Sequence, residues 1–211
     1  MLNASHLQAS PWPASQGEES LEATLERAAE VISEALECGL LAEAETAIDQ
    51  MEESAPEDPR PHHLRGVLAM LRGDAAAAAD AFRRALRSPG APAETRLGLA
   101  TALLDLGTAT EAWEVLAPLR IDPPEDARYR HWLIRAGAAA ERWAELASLL
   151  ELCLERTPAD HATRFALAGV YLRLGRPADA RREHRRLCDE HPELDGLEEL
   201  ARRLEEAGAA P

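Results

Sequence analysis

The sequence predicts an all-α protein, an α-solenoid of about five helix-turn-helix units with a C-terminal capping helix. Its 211 residues include 43 alanines and 32 leucines, which favour helices, against four valines and four isoleucines, which favour strands. Turn-forming and small residues also recur along the chain with a spacing of 34. A fixed period of this length is typical of arrays in which each helical hairpin packs on the next.

Glycines and small side chains define the repeat. The turn positions hold Gly39, Gly73, Gly107, Glu141 and Gly175. Five residues later stand Ala44, Ala78, Ala112, Leu146 and Ala180. Glycine can adopt the left-handed conformation that ends one helix, and a small residue lets the second helix pack closely on the first. We expect repeats at about 25–58, 59–92, 93–126, 127–160 and 161–192, with Pro124 and Pro158 near the ends of the third and fourth.

Both ends of the chain differ from the repeats. Residues 1–20 contain two prolines around Trp12 and no helical periodicity, which predicts a disordered tail. Residues 193–208 carry a stripe of leucines at helical spacing, namely Leu194, Leu197, Leu200 and Leu204. A helix with one apolar stripe and charged residues elsewhere is suited to cover the last repeat. The expected total is eleven helices.

The repeat pattern resembles the tetratricopeptide repeat (TPR) family over about residues 25–192. The resemblance is clearest in the last repeat, where the family's signature positions hold Leu167, Ala168, Tyr171, Gly175, Ala180 and Pro192. Arg164 stands where the family usually has tryptophan. The resemblance implies a concave groove that is lined by the first helix of each repeat and binds a protein segment.

In the family, four positions of the first helix commonly touch a bound peptide. In this chain they are Arg60, His63, Val67, Met70, Glu94, Leu97, Thr101, Leu104, Arg128, His131, Arg135, Phe165 and Leu172. The resemblance thus implies an apolar groove with basic points, complementary to a segment with apolar anchors and acidic residues. Arg128, His131 and Arg135 are its predicted polar part. The asparagine and lysine pattern of the family's carboxylate clamp is absent, since the chain has no lysine.

Composition excludes several classes of function. Without lysine the chain cannot form a Schiff base or a P-loop nucleotide site. A net charge of -15 disfavours nucleic acid and anionic membranes as partners. Three widely spaced cysteines indicate reduced thiols, and no apolar run is long enough to span a membrane. We therefore expect a cytoplasmic protein that does not insert into membranes.

One group of residues has the spacing of metal ligands. His184, Cys188 and His191 lie at i, i+4 and i+7, so one helical face could present all three to zinc. A structural role is favoured because His184 holds a packed position and no fourth ligand is evident. The other histidines lack a recognisable nucleophile or carboxylate partner. We expect no catalytic site, no cofactor and no metal. Whether His184, Cys188 and His191 bind a metal ion is left open.

Charge is unevenly distributed along the chain. Residues 1–58 carry fourteen acidic side chains and one arginine, whereas residues 161–192 carry seven arginines and four acidic side chains. This pattern fits solvated helix faces, electrostatic guidance of a partner, or head-to-tail self-association into a homo-oligomer. The predicted function is a non-catalytic adaptor or assembly chaperone. The alternatives are a self-assembling scaffold and a bacterial secretion-type chaperone, and an enzyme has the least support.

Overall fold

The computed structural model describes residues 20–116 and 127–209, and all regular secondary structure in these ranges is helical. The helices are α1 (Leu21–Glu37), α2 (Leu41–Ser54), α3 (Pro59–Leu71), α4 (Ala75–Ala85), α5 (Glu94–Asp105), α6 (Ala109–Val115), α7 (Ala127–Ala139), α8 (Trp143–Arg156), α9 (His161–Arg173), α10 (Pro177–Glu190) and α11 (Leu197–Ala209). The predicted all-α fold and its eleven helices are confirmed for the described part of the chain. Except for Ser20, the predicted tail lies outside it, as does Pro124.

The chain divides into two compact units, Met1–Thr108 and Ala109–Pro211. The first unit holds α1 to α5, and the second holds α6 to α11. The boundary falls inside the third predicted repeat, residues 93–126. The division of the chain into five equal repeats therefore stays a prediction.

Caps and turn glycines set the helix ends of the first unit. The Ser20 hydroxyl accepts a hydrogen bond from the Ala23 N–H at 3.3 Å, and the Asp74 carboxylate accepts one from the Ala77 N–H at 2.9 Å. Gly73 has a φ of 76°, a left-handed value that glycine adopts without steric cost. The Asp74 N–H then donates to the Ala69 carbonyl oxygen at 2.9 Å, which closes the turn between α3 and α4. Local residue chemistry thus accounts for the hairpins.

The core of the first unit consists mainly of leucines, isoleucines, alanines and Met51, with one large aromatic ring. Phe82 on α4 is 1% exposed and packs against two glycines, Gly66 on α3 and Gly98 on α5. A Cβ atom at either glycine would lie 2.5 Å from the ring. The glycines therefore make the space in which one phenylalanine joins three helices.

The second unit contains a turn with a non-glycine residue in a left-handed conformation. Glu141, which occupies a predicted glycine position, has a φ of 55°. The Arg142 N–H nevertheless donates to the Gly137 carbonyl oxygen at 2.8 Å, as in the glycine turns. Trp113 is fully buried beside Gly137, and its indole N–H donates to Glu145 at 3.3 Å. Packing thus holds α7 and α8 together despite the unfavourable turn residue.

Helix α11 packs against α9 and α10 through buried leucines. Leu197, Leu200 and Leu204 are each at most 8% exposed. The helix begins at Leu197 rather than at the predicted 193. Gly196 has a φ of 90°, which is incompatible with the α-helix, so the residues before Leu197 form turns. The apolar stripe of α11 is therefore shorter than the sequence pattern suggests.

Candidate functional site

A cleft of about 870 Å³ in the first unit contains some of the predicted groove residues. Arg60, His63 and Glu94 line it, together with Leu64 and Pro92. The remaining predicted residues of α3 and α5 do not line the cleft and are half-buried: Val67, Met70, Leu97, Thr101 and Leu104. Val67 packs against the hydrophobic core, and the Thr101 hydroxyl donates to the Leu97 carbonyl oxygen at 2.8 Å.

Arg60 is held by two carboxylates of its own chain. Its two terminal nitrogens each lie 3.0 Å from an oxygen of Glu22, and Nη2 lies 2.6 Å from Oδ2 of Asp58. Hydrogen bonds to Asp58 raise the pKa of Arg60 further above its ordinary value. Burial alone would raise the pKa of Asp58, but the hydrogen bonds from Arg60 outweigh it and lower this pKa. A partner carboxylate would therefore have to compete with two internal ones for Arg60.

His63 lies between the core and the cleft. Its Nδ1 is 3.0 Å from the Thr95 hydroxyl oxygen, and its ring centroid is 5.7 Å from that of Phe82. Burial of the imidazole lowers the pKa of His63, while the carboxylate of Glu94 acts in the opposite direction. The neutral ring is therefore the favoured form, and His63 contributes a polar edge to the cleft rather than a positive charge.

This cleft also has an acidic lining, which the sequence mapping missed. Glu26, Glu30 and Glu34 lie four residues apart on α1 and line the cleft with Glu94. Within residues 20–116, none of the four forms an ion pair. The basic character predicted for the groove does not apply here, because Arg60 is neutralised and the α1 glutamates face the same space. The spacing of four residues between Glu26, Glu30 and Glu34 was the sequence signal for an acidic face on α1.

In the second unit, α7 presents the predicted polar residues on one exposed face. Arg128, His131 and Arg135 are all exposed. The guanidinium of Arg135 lies over the indole ring of Trp132 at 4.6 Å, and the His131 ring meets the same indole edge-on at 5.6 Å. Among the residues that the structure describes, no carboxylate forms an ion pair with Arg135. This face is cationic and partly aromatic.

Helix α9 adds an apolar surface to the second unit. Phe165 and Leu172 are half-buried, and the Phe165 ring lies close to Gly196 before α11. Gly169, between them on α9, has no heavy atom within 4 Å of the position that a Cβ would take. It opens into a cleft of about 360 Å³ that also includes Ala138 of α7. Residues of both α7 and α9 therefore line this cleft, although none of the predicted groove residues does.

A second cleft of this unit, about 590 Å³ between α8, α9 and α10, is lined by charged residues that pair with one another. Arg164 pairs with Glu183 at 3.0 Å, and Arg176 pairs with Asp179 at 2.7 Å. The Tyr171 hydroxyl donates to Glu151 at 2.7 Å; burial, followed by this bond, raises the pKa of Tyr171 to about 12. The cleft is polar, but its charges are largely satisfied internally.

The three residues with metal-ligand spacing do not converge. Nε2 of His184 lies 3.2 Å from the Leu197 carbonyl oxygen and 3.6 Å from the Cys188 sulfur. His191 instead packs against His161, with ring centroids 4.6 Å apart, and lies near Glu193. Within residues 20–116 and 127–209, no three His, Cys, Asp or Glu side chains are arranged to hold a metal ion. The same ranges contain no helix of the length and hydropathy needed to cross a membrane.

Solved structures with the same fold support the family resemblance. YrrB, described as a TPR protein with an unusual peptide-binding site, superposes with a TM-score of 0.68 at 17% identity, over 84% of this chain and 91% of that one. PilF of Pseudomonas aeruginosa gives 0.65 at 17% identity, covering 87% and 84%. MamA of Desulfovibrio magneticus RS-1 gives 0.64 at 18% identity, covering 81% and 97%. No protein-family model and no curated protein matches the sequence.

The chain is therefore an all-α protein with the tetratricopeptide-repeat fold. The predicted resemblance to this family is confirmed at the level of the fold.

Proposed function

We propose that this chain is a non-catalytic protein-interaction module, an adaptor or assembly chaperone that binds a protein segment on the face formed by α7 and α9. The observation that carries the proposal is the environment of Arg135. This exposed guanidinium is stacked on Trp132 and forms no ion pair with a described residue. Arg128 and His131 share its helix face.

An arginine held on an aromatic ring suits recognition of an acidic partner. The indole restricts the guanidinium without neutralising its charge, so less conformational freedom is lost on binding. Arginine and tryptophan are also the residues most often found at the energetic centres of protein interfaces. The apolar surface around Phe165 and Leu172 would accept apolar anchors. The proposed partner is therefore a segment that combines apolar and acidic residues, in a cytoplasmic setting and without a cofactor.

A non-catalytic role is part of the proposal. In the polar cleft of the second unit, arginines pair with carboxylates of the same unit, as in Arg164 with Glu183 and Arg176 with Asp179, which favours a structural role for these side chains. His63 and His184 have hydrogen-bonding partners within their own unit. YrrB, of the same fold, is described as having a peptide-binding site, which supports binding as the class of function.

The proposal is tested with the partner that copurifies from native cells. We expect Arg128→Ala with Arg135→Ala to weaken binding measured by calorimetry by about tenfold or more, with an unchanged melting temperature. Arg→Lys at both positions should also weaken binding, because lysine cannot stack or bind a carboxylate bidentately in the same way. Arg142→Ala, which removes an exposed arginine paired with Glu145, is the matched control. Undiminished affinity of the double alanine variant would exclude this face.

Self-assembly is a second candidate function. Its support is the row of glutamates on α1, Glu26, Glu30 and Glu34, together with the excess of arginines over acidic residues in the segment 161–192. Opposite charges on two copies would attract each other head to tail. Sedimentation at low and high salt distinguishes the candidates: oligomers that dissociate in salt support a scaffold, and a monomer under both conditions excludes it.

A further inference from the structure

The cleft between α7, α8, α9 and α11 has features of an anchor pocket. Its walls are Ile134 and Ala138 of α7, Trp143 and Leu146 of α8, and Val170 of α9. Its volume of about 360 Å³ lies at the lower end of the range for ligand sites, so it would hold one or two side chains rather than a whole segment. Apolar walls of this kind favour an aliphatic side chain.

Gly169 keeps the pocket open. It lies in the interior of α9, where glycine is a poor helix former, and a Cβ atom there would contact no other atom within 4 Å. By contrast, Gly66 and Gly98 leave room for a ring of the protein itself. The space above Gly169 is therefore available to a side chain from another molecule.

Two arginines stand at the rim of the pocket. The Arg173 guanidinium lies over the Trp143 ring at 4.9 Å, and Arg203 projects from α11. Neither forms an ion pair within the part of the chain that the structure describes, and no acidic residue lines the pocket. The neighbouring Arg202, in contrast, is paired with Glu199 at 2.5 Å. An apolar pocket with two uncompensated positive charges is complementary to an aliphatic group next to a carboxylate.

The pocket is continuous with the α7 face of the proposed function. Ala138 lies three residues after Arg135, so the two are neighbours on the same side of α7. Gly169 lies between Phe165 and Leu172 on the corresponding side of α9. A segment that lies on the α7 face would therefore lie within one helical turn of Ala138, a wall of the pocket.

We propose that this cleft is the anchor pocket for the bound protein segment. One aliphatic side chain of the partner enters the space above Gly169, and the carboxylate of an aspartate or glutamate within one helical turn binds Arg173 and Arg203. The inference rests on the proposed function and specifies its partner: an aliphatic residue close to an acidic one. It also makes α11 part of the binding site, in addition to covering the last repeat.

The test uses a random peptide library displayed on phage and the full chain as bait. We expect enriched peptides to carry an aliphatic residue within one helical turn of aspartate or glutamate. One such peptide is then synthesised and its affinity measured by fluorescence anisotropy. Gly169→Leu, which fills the pocket, and Arg203→Ala should each weaken binding by about tenfold or more. Arg202→Ala and Ala178→Leu, on exposed positions outside the pocket, should change it by less than about twofold.

The outcomes separate this inference from the proposed function. Circular dichroism should show that Gly169→Leu melts no lower than the parent chain, since leucine is the better helix former. The pocket proposal is wrong if peptides bind the Gly169→Leu and Arg203→Ala variants as tightly as the parent chain. If the same peptides lose affinity for the variant with Arg128→Ala and Arg135→Ala, the proposed function still holds. Enrichment of basic peptides, or no enrichment, would overturn both.

Discussion

The guanidinium of Arg164 on α9 is buried against the carboxylate of Glu183 on α10, with Nη1 and Oε2 3.0 Å apart. Both side chains are at most 6% exposed. Arg164 also donates to the Pro158 carbonyl oxygen, whereas its Nε has no hydrogen-bond partner. Arg164 occupies the position at which the TPR family usually has tryptophan, so an ion pair here replaces an aromatic contact between helices.

Removing one partner of this ion pair should destabilise the protein strongly, whereas replacing both residues by apolar ones should not. Glu183→Ala leaves a buried positive charge without its main partner, so we expect the free energy of unfolding to fall by about 3–5 kcal/mol. Arg164→Met with Glu183→Leu removes both charges and should be within about 1 kcal/mol of the parent chain, or more stable. Urea denaturation measures both. The control is Glu199→Ala, which breaks an exposed pair and should cost less than about 1 kcal/mol. A double variant as unstable as the single one would contradict this account.

The contacts of Phe82 predict a strongly position-dependent response to glycine substitution. Gly66→Ala and Gly98→Ala each place a methyl group 2.5 Å from the Phe82 ring, and each should lower the free energy of unfolding by about 1–3 kcal/mol. Gly169→Ala adds a methyl group with no heavy atom within 4 Å, so it should instead raise the free energy of unfolding by up to about 1 kcal/mol. Thermal melts compare the three variants. Phe82→Leu should reduce the penalty of Gly66→Ala, and equal penalties in both backgrounds would show that the ring is not the cause.

Replacing Glu141 by glycine should stabilise the second unit. A non-glycine residue in the left-handed region costs roughly 1 kcal/mol, and Glu141 has a φ of 55° there. We expect Glu141→Gly to raise the free energy of unfolding by about that amount. Ser148→Gly, at an exposed position inside α8, should instead lower it by up to about 0.5 kcal/mol, because glycine weakens a helix interior. A destabilising effect of Glu141→Gly would contradict strain from a left-handed conformation at this turn.

Protonation of His63 should make the first unit less stable in mild acid. Burial lowers the pKa of the folded-state imidazole below the ordinary value of 6.5, so the unfolded chain binds more protons between these two pKa values. The stability that neutral His63 contributes is therefore complete above pH 6.5. It is lost as the pH falls from 6.5 through the lower pKa of the folded state. Urea titrations above and below pH 6.5 should show a smaller pH dependence for His63→Gln. Glu94→Gln should lower the pKa of His63 further, and an NMR titration of the ring checks this directly.

Much of the fold could be predicted from short stretches of sequence. Alanine and leucine content, turn glycines and the period of 34 indicated an all-α array of hairpins, because each feature acts through neighbours on one helix or turn. Glu141 illustrates the limit of this approach. The sequence marked it as a departure, but only the structure shows that the turn still forms, with packing around Trp113 and Gly137 holding the adjoining helices.

The candidate site was predictable only in part. The spacing places Arg128, His131 and Arg135 on one face of α7, and the structure shows that all three are exposed, while their role in binding stays a prediction. Arg60 and His63 on α3 have the same spacing as Arg128 and His131. Arg60, however, is bound to Glu22, 38 residues earlier in the chain. Arg173 and Arg203 were not predicted at all, since they lie on helices whose meeting depends on the packing of buried leucines.

The sequence by itself determined which segments are helical, where their turns lie and how charge is distributed along the chain. These properties follow from residue propensities and from contacts three or four positions apart. Only the tertiary structure decided which charges are neutralised and which remain available, as in Arg164 with Glu183 and in Arg203 without a described carboxylate partner. The physical reason is that an ion pair or a pocket requires side chains from separate helices to meet, and helix packing sets that geometry.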